Sequence, residues 1–123
     1  MMTSALLVLA GLMGAGGVGL AAAAAHAAPA AGLDSAAYLM LFHAVAVLGA
    51  ASLTGQERLW RPLGVIAMAC FVAGGVLFAG DISMRAFAGH RLFPMAAPTG
   101  GTLLILGWLV LAAAAIAAAG RAR

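Results

Sequence analysis

Three ionisable side chains stand inside long apolar stretches of this chain: His26, His43 and Asp81. Near the centre of a membrane helix such a group costs about 2.5–3.5 kcal/mol on insertion scales, so each calls for a partner or a task. An imidazole beside a carboxylate can hold two helices in register, pass a proton or contribute to a metal site. Helical spacing puts His43 on a stripe with Ala36, Ala46 and Ala50, and Asp81 on one with Ala67, Cys70 and Gly74. His26 shares its stripe with Gly11, Ala15, Gly19 and Ala22. Small-residue faces admit a neighbouring helix, so all three groups are expected to point into a helix bundle, in its outer half. The sharpest expectation is a His43–Asp81 pair with Tyr38 or His26 nearby. Arg85, four residues beyond Asp81, is a second partner for the acid at the rim.

The leading reading of this polar cluster is a hydrogen-bonded clamp that fixes helix register. A proton or small-solute path is the alternative, although two ionisable residues in one half do not cross a membrane. Haem or metal ligation by His26, His43 and Met40 is a further alternative, with no H-x-x-H or H-E-x-x-H spacing behind it. There is no nucleophile, base and acid arrangement and no phosphate loop followed by lysine. The glycine-rich run Gly11–Gly19 has no strand before it, so it is not a nucleotide fingerprint, and the seven methionines have no repeated spacing. No enzyme and no cofactor are expected. Cys70 is the only cysteine, which rules out an intramolecular disulfide and makes a packing role the default.

The elements that must position these groups are four apolar segments, about 4–26, 36–54, 62–84 and 99–119. Each reaches the roughly 20 residues that a helix needs to cross the hydrocarbon core. With 66% hydrophobic and 7% charged residues, the 123-residue chain has too little polar surface for a water-soluble domain. Helix is the only assignment that satisfies the backbone in lipid, because four segments are too few for a closed barrel. The expectation is an all-α membrane protein, one domain spanning 1–123. Short connections carrying Pro29 and Gly32, Gly55 and Pro62, then Gly89, Pro94 and Pro98 make it an up-down four-helix bundle. Pro62 suits a first helical turn and Thr99 an N-cap.

Six arginines against three acids give a pI near 10.6, but there is no lysine and no basic run, so nucleic acid is not an expected partner. The arginines sit at segment ends: Arg58, Arg61, Arg121 and Arg123 on one side, Arg85 and Arg91 on the other. The positive-inside bias puts both termini and the second connection in the cytoplasm. Ala25-His26-Ala27 resembles a signal cleavage site, but no basic residue precedes it and the apolar run is long, so the first segment is expected to be a retained helix.

Glycine and alanine dominate the segment interiors, where they let backbones approach closely. Gly11, Gly19, Gly74, Gly80 and Gly107 are the packing candidates, with Trp108 near the middle of the last segment needing an acceptor for its indole N–H. Gln56, Glu57, Arg58, Trp60 and Arg61 read as an interfacial turn with an aromatic anchor. His90 and Arg91 read as a loop facing solvent or headgroups.

Several of these features together resemble the domain of unknown function 423 family, the YgdD-like small integral inner-membrane proteins. They are the glycine-rich first segment ending at His26 and the run Tyr38, Met40, His43 and Ala44. Gly75-Val76-Leu77-Phe78-Ala79-Gly80 follows, then Pro98, Gly100, Gly101, Gly107 and Trp108. The resemblance runs through nearly the whole chain in order. Ala79 and Asp81 stand where the family usually has serines, so the acid gives His43 a charge partner that relatives lack, or else belongs to a surface turn. The resemblance implies a small multi-spanning inner-membrane protein and offers no activity to borrow. The expected function is helix packing in the lipid bilayer, as a homo-oligomer or as an accessory subunit of a larger membrane complex.

Overall fold

A computed structural model describes Met1–His26 and Gly32–Ala122. The Pro29 breaker, Ala27 of the cleavage-like site and Arg123 lie outside the described residues. The described chain is four helices and no strand: α1 Met2–His26, α2 Leu33–Gly55, α3 Arg61–Ala88 and α4 Ala96–Arg121. All four are long and apolar enough to span a membrane. At 1.5 Å per residue they measure roughly 35–42 Å, against a hydrocarbon core of about 30 Å. The all-α membrane fold expected from the sequence is thus the fold observed.

Helix ends account for the differences in length. α2 begins at Leu33, three residues before the expected start, because Gly32 turns the chain at φ 96°. α4 begins at Ala96 after Met95 at φ 68°, so Thr99 is inside the first turn and is not the cap; its N–H donates to the Met95 carbonyl at 2.9 Å. Pro62 does occupy the first turn of α3, where no N–H is needed. α2 ends in a Schellman motif: the Arg58 N–H donates to the Leu53 carbonyl at 2.9 Å and the Glu57 N–H to that of Thr54 at 3.2 Å. The left-handed residue of that motif is Glu57, at φ 59°, where glycine is usual.

Successive helices run antiparallel. α3 is the hub: it packs on α2 and α4 and more lightly on α1, while α4 leans on α3 and leaves most of its circumference to lipid. Phe71 and Met68 of α3, Val47 of α2 and Leu33 are fully buried. Lipid tails are as apolar as these side chains, so close van der Waals contact holds the bundle together. Gly74 and Gly100 provide the closest approach. A Cβ at Gly100 would lie 2.7 Å from the Gly74 carbonyl oxygen and 2.6 Å from the Phe78 nitrogen. Only hydrogen fits between those backbones.

Candidate functional site

His43, Phe71 and Trp108 bring one ring each from α2, α3 and α4 to a single point. The His43 and Phe71 centroids are 5.3 Å apart, Phe71 and Trp108 4.9 Å, and His43 and Trp108 6.0 Å. Gly107 makes this possible, because a Cβ there would lie 2.8 Å from the Phe71 ring. Trp108 Nε1–H donates to His43 Nε2 at 3.1 Å, and His43 Nδ1 lies 2.7 Å from the Leu39 carbonyl oxygen. An indole nitrogen only donates, so Nε2 must accept; a carbonyl only accepts, so Nδ1 carries the proton. Both imidazole nitrogens are therefore occupied in one defined tautomer. His43 is buried, whereas Trp108 is half exposed on its lipid flank.

Because α2 starts early, His43 stands ten residues from Leu33 in a 23-residue helix, at its middle and not in the outer half. The inward direction inferred from its alanine stripe holds: Ala36 and Ala50 are buried with it. The pairing does not. Asp81 lies ten residues beyond Phe71 on α3, about 15 Å of helix rise away from the ring cluster.

Asp81 has its own task. It is 1% exposed, and its Oδ1 accepts the Leu92 backbone N–H at 2.9 Å, folding the third connection back over the end of α3. Arg85 sits 3.2 Å from Oδ2 as an ion pair, but among the described residues no donor is aligned on that oxygen. Coulomb attraction depends on the distance and a hydrogen bond also on direction, so Arg85 neutralises the charge without satisfying the lone pairs. The expected Asp81–Arg85 pair is present, and the single expected clamp is two: His43 ties α2 to α4, and Asp81 ties α3 to the loop that follows it.

His26 and Tyr38 do not join either clamp. His26 is exposed at the end of α1, with Nδ1 2.9 Å from the Ala22 carbonyl oxygen. Gly17 packs against Ala37 and Leu41, which sets the α1–α2 register and leaves His26 about 20 Å from His43 along the bundle. Tyr38 is 54% exposed and stacks on Phe42, ring centroids 6.2 Å apart, facing lipid.

The packing glycines divide in the same way. Gly74 and Gly107 are in close contact, and Gly80 meets only Leu92, at an ordinary 3.7 Å from a Cβ placed there. Among the described residues nothing lies within 4 Å of such a Cβ at Gly11 or Gly19. The inward face of α1 is instead Leu6, Ala10, Met13 and Gly17, a helical stripe in which two larger side chains alternate with two small residues. Gly17, Gly64, Gly75 and Gly100 are further packing positions, of which Gly75 and Gly100 belong to the family-like motifs, and a Cβ on any of them would meet another atom at 2.8 Å or less. Phe71 carried no sequence signal beyond being one more apolar residue.

At the opposite end of the bundle from Asp81, the end of α2, the start of α3 and the end of α4 enclose a cleft of about 500 Å³. Thr54, Glu57, Trp60, Arg61 and Arg121 contribute to its wall. The Trp60 N–H donates to the Ala114 carbonyl at 3.0 Å, binding the second connection to α4, and the Arg121 guanidinium lies 5.2 Å from the Trp60 ring centroid. The turn expected to be interfacial is thus closed over by the last helix.

Comparison with known proteins gives the family and no activity. Residues 20–101 match the family described as Protein of unknown function (DUF423), a segment that takes in the end of α1, all of α2 and α3 and the start of α4. A UPF0382 membrane protein of Haemophilus influenzae is 30% identical over 80 residues, 65% of this chain. The chain spans 62% of the length of that relative. No solved structure matches. The match covers two thirds of a chain whose four helices are each able to cross a membrane, and this protein belongs to the DUF423 family of membrane proteins of unknown function.

Proposed function

We propose that this chain is a non-enzymatic bundle of the bacterial inner membrane that acts by helix packing, in a homo-oligomer or as an accessory subunit of a larger membrane complex. The outward face of α1 receives the partner helix. The observation behind this is the open space at Gly11 and Gly19, where a Cβ would meet nothing within 4 Å among the described residues, while Ala15 and Ala22 on the same face are exposed. A glycine inside a helix costs about 1 kcal/mol relative to alanine. Within this chain no close contact at Gly11 or Gly19 offsets that cost, and a helix approaching from outside would. The membrane relative is bacterial, and the arginine bias puts the termini and the second connection in the cytoplasm.

Association is tested by native mass spectrometry of full-length protein released from mild detergent, comparing wild type with Gly11→Leu and Gly19→Leu. Loss of the higher-mass species in the variants is the expected result. Unchanged mass, or a wild type that is monomeric throughout, counts against the reading. Gly74→Leu is unsuitable as the probe, because Gly74 faces Gly100 inside the chain and its loss damages the bundle itself.

The carrier reading needs a His43–Asp81 pair, and these side chains have separate partners far apart along the bundle. A haem or metal site on His26 and His43 would need groups about 20 Å apart to meet.

A further inference from the structure

We propose that the cleft between the second connection and the end of α4 binds the phosphodiester headgroup of an anionic glycerophospholipid. Its wall carries two guanidiniums, Arg61 and Arg121, and one carboxylate, Glu57, which leaves one positive charge over. Among the described residues the one ion pair is Arg85–Asp81, so none of these three charges has an opposite charge within salt-bridge range there. A singly charged phosphodiester supplies the missing negative charge. Its two unesterified oxygens also suit guanidinium donors, which recognise phosphate by paired, in-plane hydrogen bonds.

Arg121 is oriented for such a contact. Its guanidinium is held 5.2 Å from the Trp60 ring centroid, and an interaction with a ring face leaves the in-plane N–H groups free. Trp60 is in turn fixed through its backbone N–H to Ala114, so ring and cation are both tied to α4. Glu57, the left-handed residue that ends α2, is the one acid in the wall, and the two arginines outweigh its repulsion of a phosphate. The cavity, about 500 Å³, is within the range that small ligands occupy.

Its position selects a lipid over a soluble anion. The cleft is at the helix ends beside a tryptophan, the level at which headgroups meet the hydrocarbon. Leu53, next to the cleft-lining Thr54 on α2, is 42% exposed. An acyl chain running down from a headgroup in the cleft would cover it. Pockets lined by basic residues between membrane helices are a recurrent way of holding such headgroups. The inference does not use the α1 face and stands whether or not the chain self-associates.

The test is native mass spectrometry of the full-length protein in detergent, titrated with phosphatidylglycerol, with diacylglycerol of the same acyl chains, and with inorganic phosphate as competitor. Phosphatidylglycerol should be retained at least tenfold more strongly than diacylglycerol. Arg61→Gln/Arg121→Gln should weaken its retention roughly 30-fold, two arginines each contributing about 1 kcal/mol near a charged headgroup. Glu57→Gln should retain it at least as well as wild type. Equal retention of diacylglycerol would reduce the cleft to an apolar groove. Displacement of the lipid by inorganic phosphate at a comparable concentration would make it a soluble-anion site, and full retention by the double arginine variant would remove the charge argument. Each of these three results overturns the proposal. Should the double variant misfold, wild type alone decides: 1 M salt shortens screening to about 3 Å and should release the phospholipid, and undiminished retention overturns the proposal.

Discussion

Trp108 on α4 donates its indole N–H to Nε2 of His43 on α2, and both residues stand at the midpoints of their helices. The two helices make little other contact, because each packs on α3. A polar bond at mid-membrane depth therefore sets their relative register across the intervening Phe71 ring.

Removing that donor leaves a buried acceptor with no substitute. Trp108→Phe should lower stability by about 1 kcal/mol beyond any packing change. In a double-mutant cycle with His43→Leu the coupling should be about 0.6 kcal/mol, the average for hydrogen bonds between membrane helices, and no more than about 1.7, their maximum. Steric-trap unfolding in bicelles gives the numbers, and strictly additive effects would mean that the bond contributes nothing.

Two neighbouring glycines make a matched pair of probes. Gly100→Ala pushes a methyl group against the Phe78 and Gly74 backbones, which cannot turn aside, and should cost at least 2 kcal/mol. Gly101→Ala enters open space inside the helix and should stabilise by about 0.5–1 kcal/mol. Equal effects at the two sites would contradict the close α3–α4 approach.

The buried carboxylate predicts local order in the third connection. Asp81→Ala removes the acceptor for the Leu92 N–H, so amide exchange at Leu92 should accelerate at least tenfold while the core of α3 keeps its protection. Asp81→Asn retains an acceptor oxygen and should protect Leu92 nearly as well as wild type. Hydrogen exchange by mass spectrometry or NMR distinguishes the two variants. Identical exchange in wild type and Asp81→Ala would dissolve the clamp.

Glu57→Gly should stabilise the bundle. Relief of the left-handed strain is worth about 1–2 kcal/mol, and the added freedom of the unfolded chain takes back about 0.4–1. A net gain near 0.5–1 kcal/mol in thermal or denaturant unfolding is expected. A loss would mean that the carboxylate contributes stability of its own at the cleft.

What the sequence disclosed follows from how lipid constrains a chain. The existence and number of helices were legible, because a run of about 20 apolar residues in a bilayer has no other way to satisfy its backbone. Their rotations were legible only in part. A rule that small residues face inward places His43 and Asp81 correctly but cannot choose among the small residues of α1, where Ala10 and Gly17 face inward with Leu6 and Met13 and Gly11 and Gly19 do not. On a helix that is apolar all round, no polar face marks the outside, so Gly11 and Gly17 look alike until neighbours are seen. The partners of His43 and Asp81 were not legible either. One is an indole 65 positions away in sequence and the other a backbone N–H, which any residue supplies. Gly32 and Met95, whose positive φ values start α2 and α4 early, are likewise invisible to hydropathy.

The meeting of Gly74 and Gly100 has a thermodynamic consequence. Where these two residues touch, the surfaces are main chain on main chain, and neither glycine has a rotamer to immobilise. Docking α4 on α3 at that point consumes no side-chain entropy, in contrast to a leucine seam, where every interlocked side chain gives up alternatives. Dispersion and weak Cα–H···O contacts, small one by one, there act almost unopposed by the disorder they displace.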